Sequence, residues 1–197
     1  AQVLDVAREI KMPVILLDRP NPINGKTISG PVLEVALRSR FGVYPIPLIY
    51  GMTIAELALY FNKVFGLGAN LTVIGMEGYK RRMSYTDTGL HWVPPSDFIP
   101  EPTTEKLETY NLPGIRFIAV QEKPYYGLYS GQVTNGIELV ITHTESFDPF
   151  LTGTAILKTL YELYQDRIPL QNQAAAEAID CLAGSSSIRE MIISNQP

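Results

Sequence analysis

Val14-Ile15-Leu16-Leu17-Asp18-Arg19-Pro20-Asn21-Pro22-Ile23-Asn24-Gly25 opens with four consecutive apolar residues and then turns abruptly polar and proline-rich. An apolar run this short, led in by Pro13, fits a strand buried on both faces, as in a parallel sheet beneath helices. Leu71-Thr72-Val73-Ile74 has the same character farther along. Between the two runs, Thr53-Ile54-Ala55-Glu56 carries the Thr-x-x-Glu signature of a capping box and predicts a helix to about Phe65. Strand, helix, strand in that order is a βαβ arrangement, so Val14–Leu17 and Leu71–Ile74 are expected to lie parallel in one sheet.

Outward from this centre, Val3, Leu4, Ala7 and Ile10 repeat at helical spacing and predict a helix over 1–11. The stretch from Asp18 to Pro31 reads as a loop dense in Pro, Asn and Gly, and residues 84–102 read as a Pro-rich extended segment. After it, strands are expected at Ile115–Val120 and Ile137–Thr142, with helices near 152–164, 172–183 and 187–194. Residues 103–197 also hold eleven Asp/Glu against six Lys/Arg. A boundary near residue 102 therefore separates 1–102, the C-terminal portion of a Rossmann-like parallel-sheet domain, from a smaller α+β domain at 103–197.

Several function classes are disfavoured. The net charge is −4, and Lys80-Arg81-Arg82 is the one basic cluster, which reads as a solvated run and not as a nucleic-acid surface. Cys181 is a lone cysteine in an apolar run, expected as a buried, inert thiol. With His91 and His143 far apart, no histidine- or cysteine-based metal site is expected. Gly66-Leu67-Gly68 precedes a strand and lacks a third spaced glycine, so no dinucleotide cofactor is implied. No apolar run approaches the roughly 20 residues that span a bilayer. Oligomeric state is not legible.

Four motifs occur together in order: Leu17 to Gly25 followed by Gly30-Pro31-Val32-Leu33-Glu34; Tyr44-Pro45-Ile46-Pro47; Tyr50-Gly51-Met52-Thr53-Ile54-Ala55-Glu56-Leu57; and Thr88-Gly89-Leu90-His91-Trp92-Val93-Pro94-Pro95-Ser96. With them the chain resembles a bacterial family first catalogued as a domain of unknown function and associated with exo-β-N-acetylmuramidase activity. Leu112-Pro113-Gly114-Ile115-Arg116-Phe117 and Leu182-Ala183-Gly184 resemble that family's C-terminal domain. The resemblance implies a glycosidase releasing N-acetylmuramic acid from the non-reducing ends of peptidoglycan fragments, secreted or periplasmic and without metal or cofactor. Two departures stand out. The family's Pro-Glu-His-Gly-like motif, whose glutamate is its favoured catalytic residue, has no match here. A central segment with a Gly-Thr-Asn loop is also missing between Pro102 and Thr103. The 197-residue chain alone is therefore expected to lack a complete catalytic set.

Polar residues just after a buried strand border the ligand crevice of open α/β sheets. Asp18 and Glu34 are the candidate catalytic carboxylates, because glycoside hydrolysis uses two carboxyl groups flanking the bond. The bland alternatives are a turn-capping Asp18 and a surface-charged Glu34. Arg19, Asn21, Asn24, Tyr50 and Trp92 are candidate substrate-binding residues: a guanidinium for the lactyl carboxylate of muramic acid, amides for hydroxyls, and rings for stacking. Arg19 and Asn21 can equally brace their loop, and Tyr50 and Trp92 can equally be core. A non-catalytic module that binds cell-wall sugar or supports assembly is the competing class.

Overall fold

The structure is a computed structural model that describes residues 1–91, 103–125 and 130–194. Its elements are α1 (Gln2–Glu9), β1 (Val14–Leu17), β2 (Ile28–Val32), β3 (Pro47–Tyr50), α2 (Ile54–Val64), β4 (Leu71–Ile74), α3 (Thr103–Glu108), β5 (Ile115–Glu122), β6 (Thr134–Ile141), α4 (Pro149–Leu163), α5 (Gln173–Ala183) and α6 (Ser187–Ile193), with short 3₁₀ turns at Val35–Leu37 and Thr86–Thr88. The chain divides into two compact units, Ala1–Ile28 with Ile49–Trp92, and Ser29–Leu48 with Val93–Pro197. This is a mixed α/β chain with one parallel sheet and small additional ribbons. No helix among the described residues is long and apolar enough to cross a membrane.

In the first unit β1 and β4 pair in parallel, Val14 opposite Leu71 through Leu17 opposite Ile74, as the βαβ reading expects. Their burial differs from that reading. Val14, Leu16, Leu71 and Val73 are half-buried, whereas Ile15 (69%), Leu17 (66%) and Ile74 (50%) remain exposed. The apolar run alone implies cover on both faces, but side chains alternate across a strand, and within the described residues one face of this two-stranded ribbon is open. Ala55, Ala58 and Phe61 of α2 are buried, and the Asn62 amide clamps the Ala69 backbone through a donated and an accepted bond of 2.9 and 2.8 Å. That clamp fixes the turn leading from α2 into β4.

The β2–β3 ribbon was not legible as strands. Gly30 and Pro31 within Ile28–Val32 are poor strand formers, and only pairing with β3 makes the segment extended. Gly30 adopts φ +81°, and a side chain there would meet the Phe150 ring at 2.8 Å. α3 was likewise missed, because a six-residue helix offers too few turns for a periodic signal.

In the second unit β5 and β6 form an antiparallel ribbon, Ile115 opposite Ile141 through Glu122 opposite Thr134. Leu107, Ile115, Phe117, Ile137 and Ala155 make one core, and Tyr161, Leu170, Ala183, Ile188 and Ile192 make a second. The Glu108 carboxylate accepts from the Phe117 N–H at 2.9 Å and ties α3 to β5. Arg189 donates in fork fashion to the buried Asp180 carboxylate at 2.9 and 2.8 Å, locking α6 to α5. Ser187-Ile188-Arg189-Glu190 repeats the Ser/Thr-x-x-Glu spacing and on sequence alone predicts a second capping box, which does not form. The cap residue is Ser186, with no side-chain bond, and the Ser187 hydroxyl is turned instead to Ser185 at 3.0 Å. Cys181 is half-buried and not buried. Leu107 is fully enclosed (0% exposed), so Leu107→Ala is expected to cost about 2–5 kcal/mol of unfolding free energy, read from denaturant titration.

Candidate functional site

The first helical turn leaves N–H groups without intrahelical partners, and at α2 each cap is supplied by a residue with a second connection. The Thr53 hydroxyl accepts from the Glu56 N–H at 3.2 Å, and the Glu56 carboxylate accepts from the Thr53 N–H at 3.0 Å, which completes the expected box. Asp18, the first residue after β1, adds Oδ1 as acceptor for the Ala55 N–H at 3.0 Å and for the Arg19 N–H at 2.9 Å. Its Oδ2 accepts nothing from the described residues. The capping alternative for Asp18 is thus realised with one oxygen.

Arg81 follows β4 and reaches back to the same place. It pairs with Glu56 Oε1 and donates to the Gly51 carbonyl at 2.9 Å, while its own carbonyl accepts from the Gly25 N–H at 2.9 Å. Lys80, Arg81 and Arg82 are all exposed, as the solvated-run reading expects, but the middle member is also ion-paired. Sequence gave no sign of this, because the partners lie 25 and 30 residues away. Tyr79 was also missed. Its hydroxyl is buried, lies against Gly25 and has no hydrogen-bond partner among the described residues. Burial, followed by the Glu56 carboxylate, holds the phenol above its ordinary pKa, with Arg81 opposing.

The other candidates fall as follows. Arg19 is exposed, and its guanidinium makes no hydrogen bond or ion pair among the described residues. Asn21 donates to the Met52 carbonyl at 2.9 Å and accepts from the Ile23 N–H at 2.8 Å. Asn24 donates to the Thr27 hydroxyl and accepts from the Lys26 and Thr27 N–H groups. Both amides thus shape the loop that carries Asp18 and Arg19. Tyr50 is half-buried in β3. Trp92 lies outside the described residues. Glu34 belongs to the second unit, where its N–H donates to the Gly184 carbonyl at 2.8 Å and its carboxylate accepts from the buried Ser185 hydroxyl at 2.5 Å. Asp18 belongs to the first unit, so the two carboxylates are organised by separate sets of contacts. Among the described residues no group of His, Cys, Asp and Glu side chains is arranged to hold a metal ion.

Comparison with known proteins supplies the relationship. The family model for exo-beta-N-acetylmuramidase NamZ, N-terminal, matches residues 1–103, and that for its C-terminal part matches residues 85–197. The chain belongs to the NamZ family. It is 33% identical over 231 residues to the peptidoglycan beta-N-acetylmuramidase NamZ of Bacillus subtilis (strain 168), covering 98% of this chain and 55% of that protein. A crystal structure of a DUF1343-family protein from Bacteroides fragilis matches with a TM-score of 0.72 and 27% identity, over 96% of this chain and 61% of the other. A second DUF1343-family structure from the same organism shares the fold, with a TM-score of 0.57 and 21% identity over 100% of this chain and 62% of the other. The chain spans about half the length of the NamZ relative. The four motifs read from the sequence fall within the region matched by the family models.

The unpartnered phenol gives a pH prediction. A raised folded-state pKa means that stability is intact below the ordinary tyrosine value and is lost as pH rises through the folded one. Tyr79→Phe should therefore leave stability at neutral pH unchanged or slightly improved, because no hydrogen bond is broken. It should also flatten the loss of thermal stability on the alkaline side. An unchanged alkaline slope in a melting series would refute the assignment.

Proposed function

We propose that this chain carries the saccharide-recognising part of a peptidoglycan exo-β-N-acetylmuramidase, a glycosidase that releases N-acetylmuramic acid from the non-reducing ends of peptidoglycan fragments. Family membership supports the substrate class. The observation that carries the reading is Arg19: a guanidinium with no partner among the described residues, at the carboxyl end of a parallel strand and beside an Asp18 oxygen that accepts nothing from those residues. Muramic acid differs from glucosamine by a lactyl ether ending in a carboxylate, and a planar fork of N–H donors matches that group. Pro20 and Pro22 limit the freedom of the backbone that presents it. The free Asp18 oxygen is an acceptor suited to a neighbouring sugar hydroxyl. A secreted or periplasmic location belongs to the same proposal, because that is where such fragments arise.

A second reading, a non-catalytic cell-wall-sugar-binding module, is favoured by the state of the two carboxylates. Asp18 spends one oxygen on α2, and Glu34 is held by Ser185 in the other unit. Acid–base hydrolysis uses two carboxyl groups free to work on the bond, and each of these is engaged in a structural contact.

Binding and turnover separate these readings. Arg19→Lys should weaken N-acetylmuramic acid by about 1–3 kcal/mol while leaving N-acetylglucosamine almost unaffected, measured by calorimetric titration. Equal weakening of both sugars, or a drop in melting temperature without a change in selectivity, would make Arg19 structural. The 197-residue chain incubated with a muramic-acid-terminated disaccharide is expected to release no measurable sugar. Robust release would show that Asp18 and Glu34 suffice and would remove the module reading.

A further inference from the structure

Asparagine followed by glycine is a chemically labile pair, prone to lose the side-chain ammonia. Glycine carries no Cβ to keep its backbone nitrogen away from the neighbouring amide carbon. The chain has two such pairs, Asn24-Gly25 and Asn135-Gly136. The fold holds them differently. Asn135 and Gly136 lie inside the β5–β6 ladder, opposite Gln121 and Val120, so their backbone is fixed as extended strand. Asn24 and Gly25 lie on the loop after β1, where contacts demand each of them. Asn24 Oδ1 accepts from the Lys26 N–H at 2.8 Å and the Thr27 N–H at 2.7 Å, and its Nδ2 donates to the Thr27 hydroxyl at 2.9 Å. Gly25 is buried, and a Cβ there would stand 3.0 Å from both the Arg81 carbonyl oxygen and the Tyr79 hydroxyl. The contacts that shape this loop therefore place the labile pair in it.

These contacts act on the reaction in opposite senses. The two N–H groups on Oδ1 draw electron density from Cγ and face the oxygen on which negative charge develops during addition. The nucleophile is withheld. The Gly25 N–H donates to the Arg81 carbonyl at 2.9 Å, in a buried position away from the water that must take its proton. An antiparallel bridge between Asn24 and Ser84 closes the same seam. Arg81 is anchored in turn through its guanidinium, by Glu56 and by the Gly51 carbonyl at 2.9 Å. We propose that Asn24–Gly25 is a latent self-modification site, activated at the Asn24 amide carbon and held unreactive by the Arg81 anchor. When the seam opens, the Gly25 nitrogen loses its proton to solvent and bonds to Asn24 Cγ, the Cγ–Nδ2 bond breaks, and ammonia leaves. Water then opens the cyclic imide to aspartate or isoaspartate, with no change of oxidation state and no reactant but water. Isoaspartate lengthens the main chain by a methylene and takes the loop out of register with Ser84. All of these residues belong to the first unit, and the inference is independent of the saccharide reading.

The test is site-resolved peptide mass spectrometry of the full 197-residue chain after incubation at mildly alkaline pH, with Asn135 as the internal control. In the folded chain both asparagines should convert at least about ten-fold more slowly than in the same chain unfolded in urea. Arg81→Ala should raise conversion at Asn24 about ten-fold and leave Asn135 unchanged, because only the local seam is loosened. Glu56→Gln keeps an oxygen for the Thr53 N–H but removes the charge that holds Arg81, so it should act in the same direction with a smaller effect. Hydrogen exchange at the Gly25 N–H should quicken in step with conversion in both variants. Equal acceleration at Asn24 and Asn135 would mean global destabilisation and would overturn the proposal. Conversion of Asn24 in the folded wild-type chain at the unfolded rate would overturn it too, as would an Asn24 rate unmoved by both substitutions.

Discussion

The amino end of α2 is where the first unit is tied together. Backbone N–H groups at a helix start must find acceptors, and here they are taken by Thr53 and Glu56 within the helix and by Asp18 from the end of β1. Glu56 in turn holds Arg81, which follows β4. One capping arrangement therefore fixes the chain segments leaving both parallel strands, and it does so where the helix dipole is positive. A polar loop placed there is rigid without being fully consumed, because Asp18 has two oxygens and the helix occupies only one. Arg19 is carried along with its backbone pinned and its side chain free.

The same constraint shapes the chemistry. A carboxylate that caps a helix is held in place by the N–H groups it accepts from. Glu34 is equally engaged, its carboxylate on Ser185 and its N–H on the Gly184 carbonyl. Gly184 has to be glycine there: its φ is +78°, and a side chain would approach the Leu33 backbone at 3.1 Å. Under the proposed function these residues serve recognition, with Arg19 as the acidic-sugar partner.

Much of this was written locally in the chain. Apolar runs at 14–17 and 71–74 with a boxed helix between them specify a parallel pairing, since a crossover helix leaves few other arrangements. The capping box at Thr53 was legible because both members sit within four residues. The motifs around Asp18, Tyr50 and Leu112 carry the family relationship in the sequence itself. Tertiary structure decided what depends on distant partners. Ile28–Val32 becomes a strand only beside β3, and Ile15, Leu17 and Ile74 remain exposed because the described ribbon has cover on one face alone. Arg81 stays exposed yet is held by Glu56 and the Gly51 carbonyl, and Ser187 abandons a cap for a hydroxyl network with Ser185 and Glu34. Local periodicity and capping depend on neighbours within a few residues, so sequence determines them. The free or committed state of a charged side chain depends on groups 25 to 151 residues away, so only the folded chain decides it.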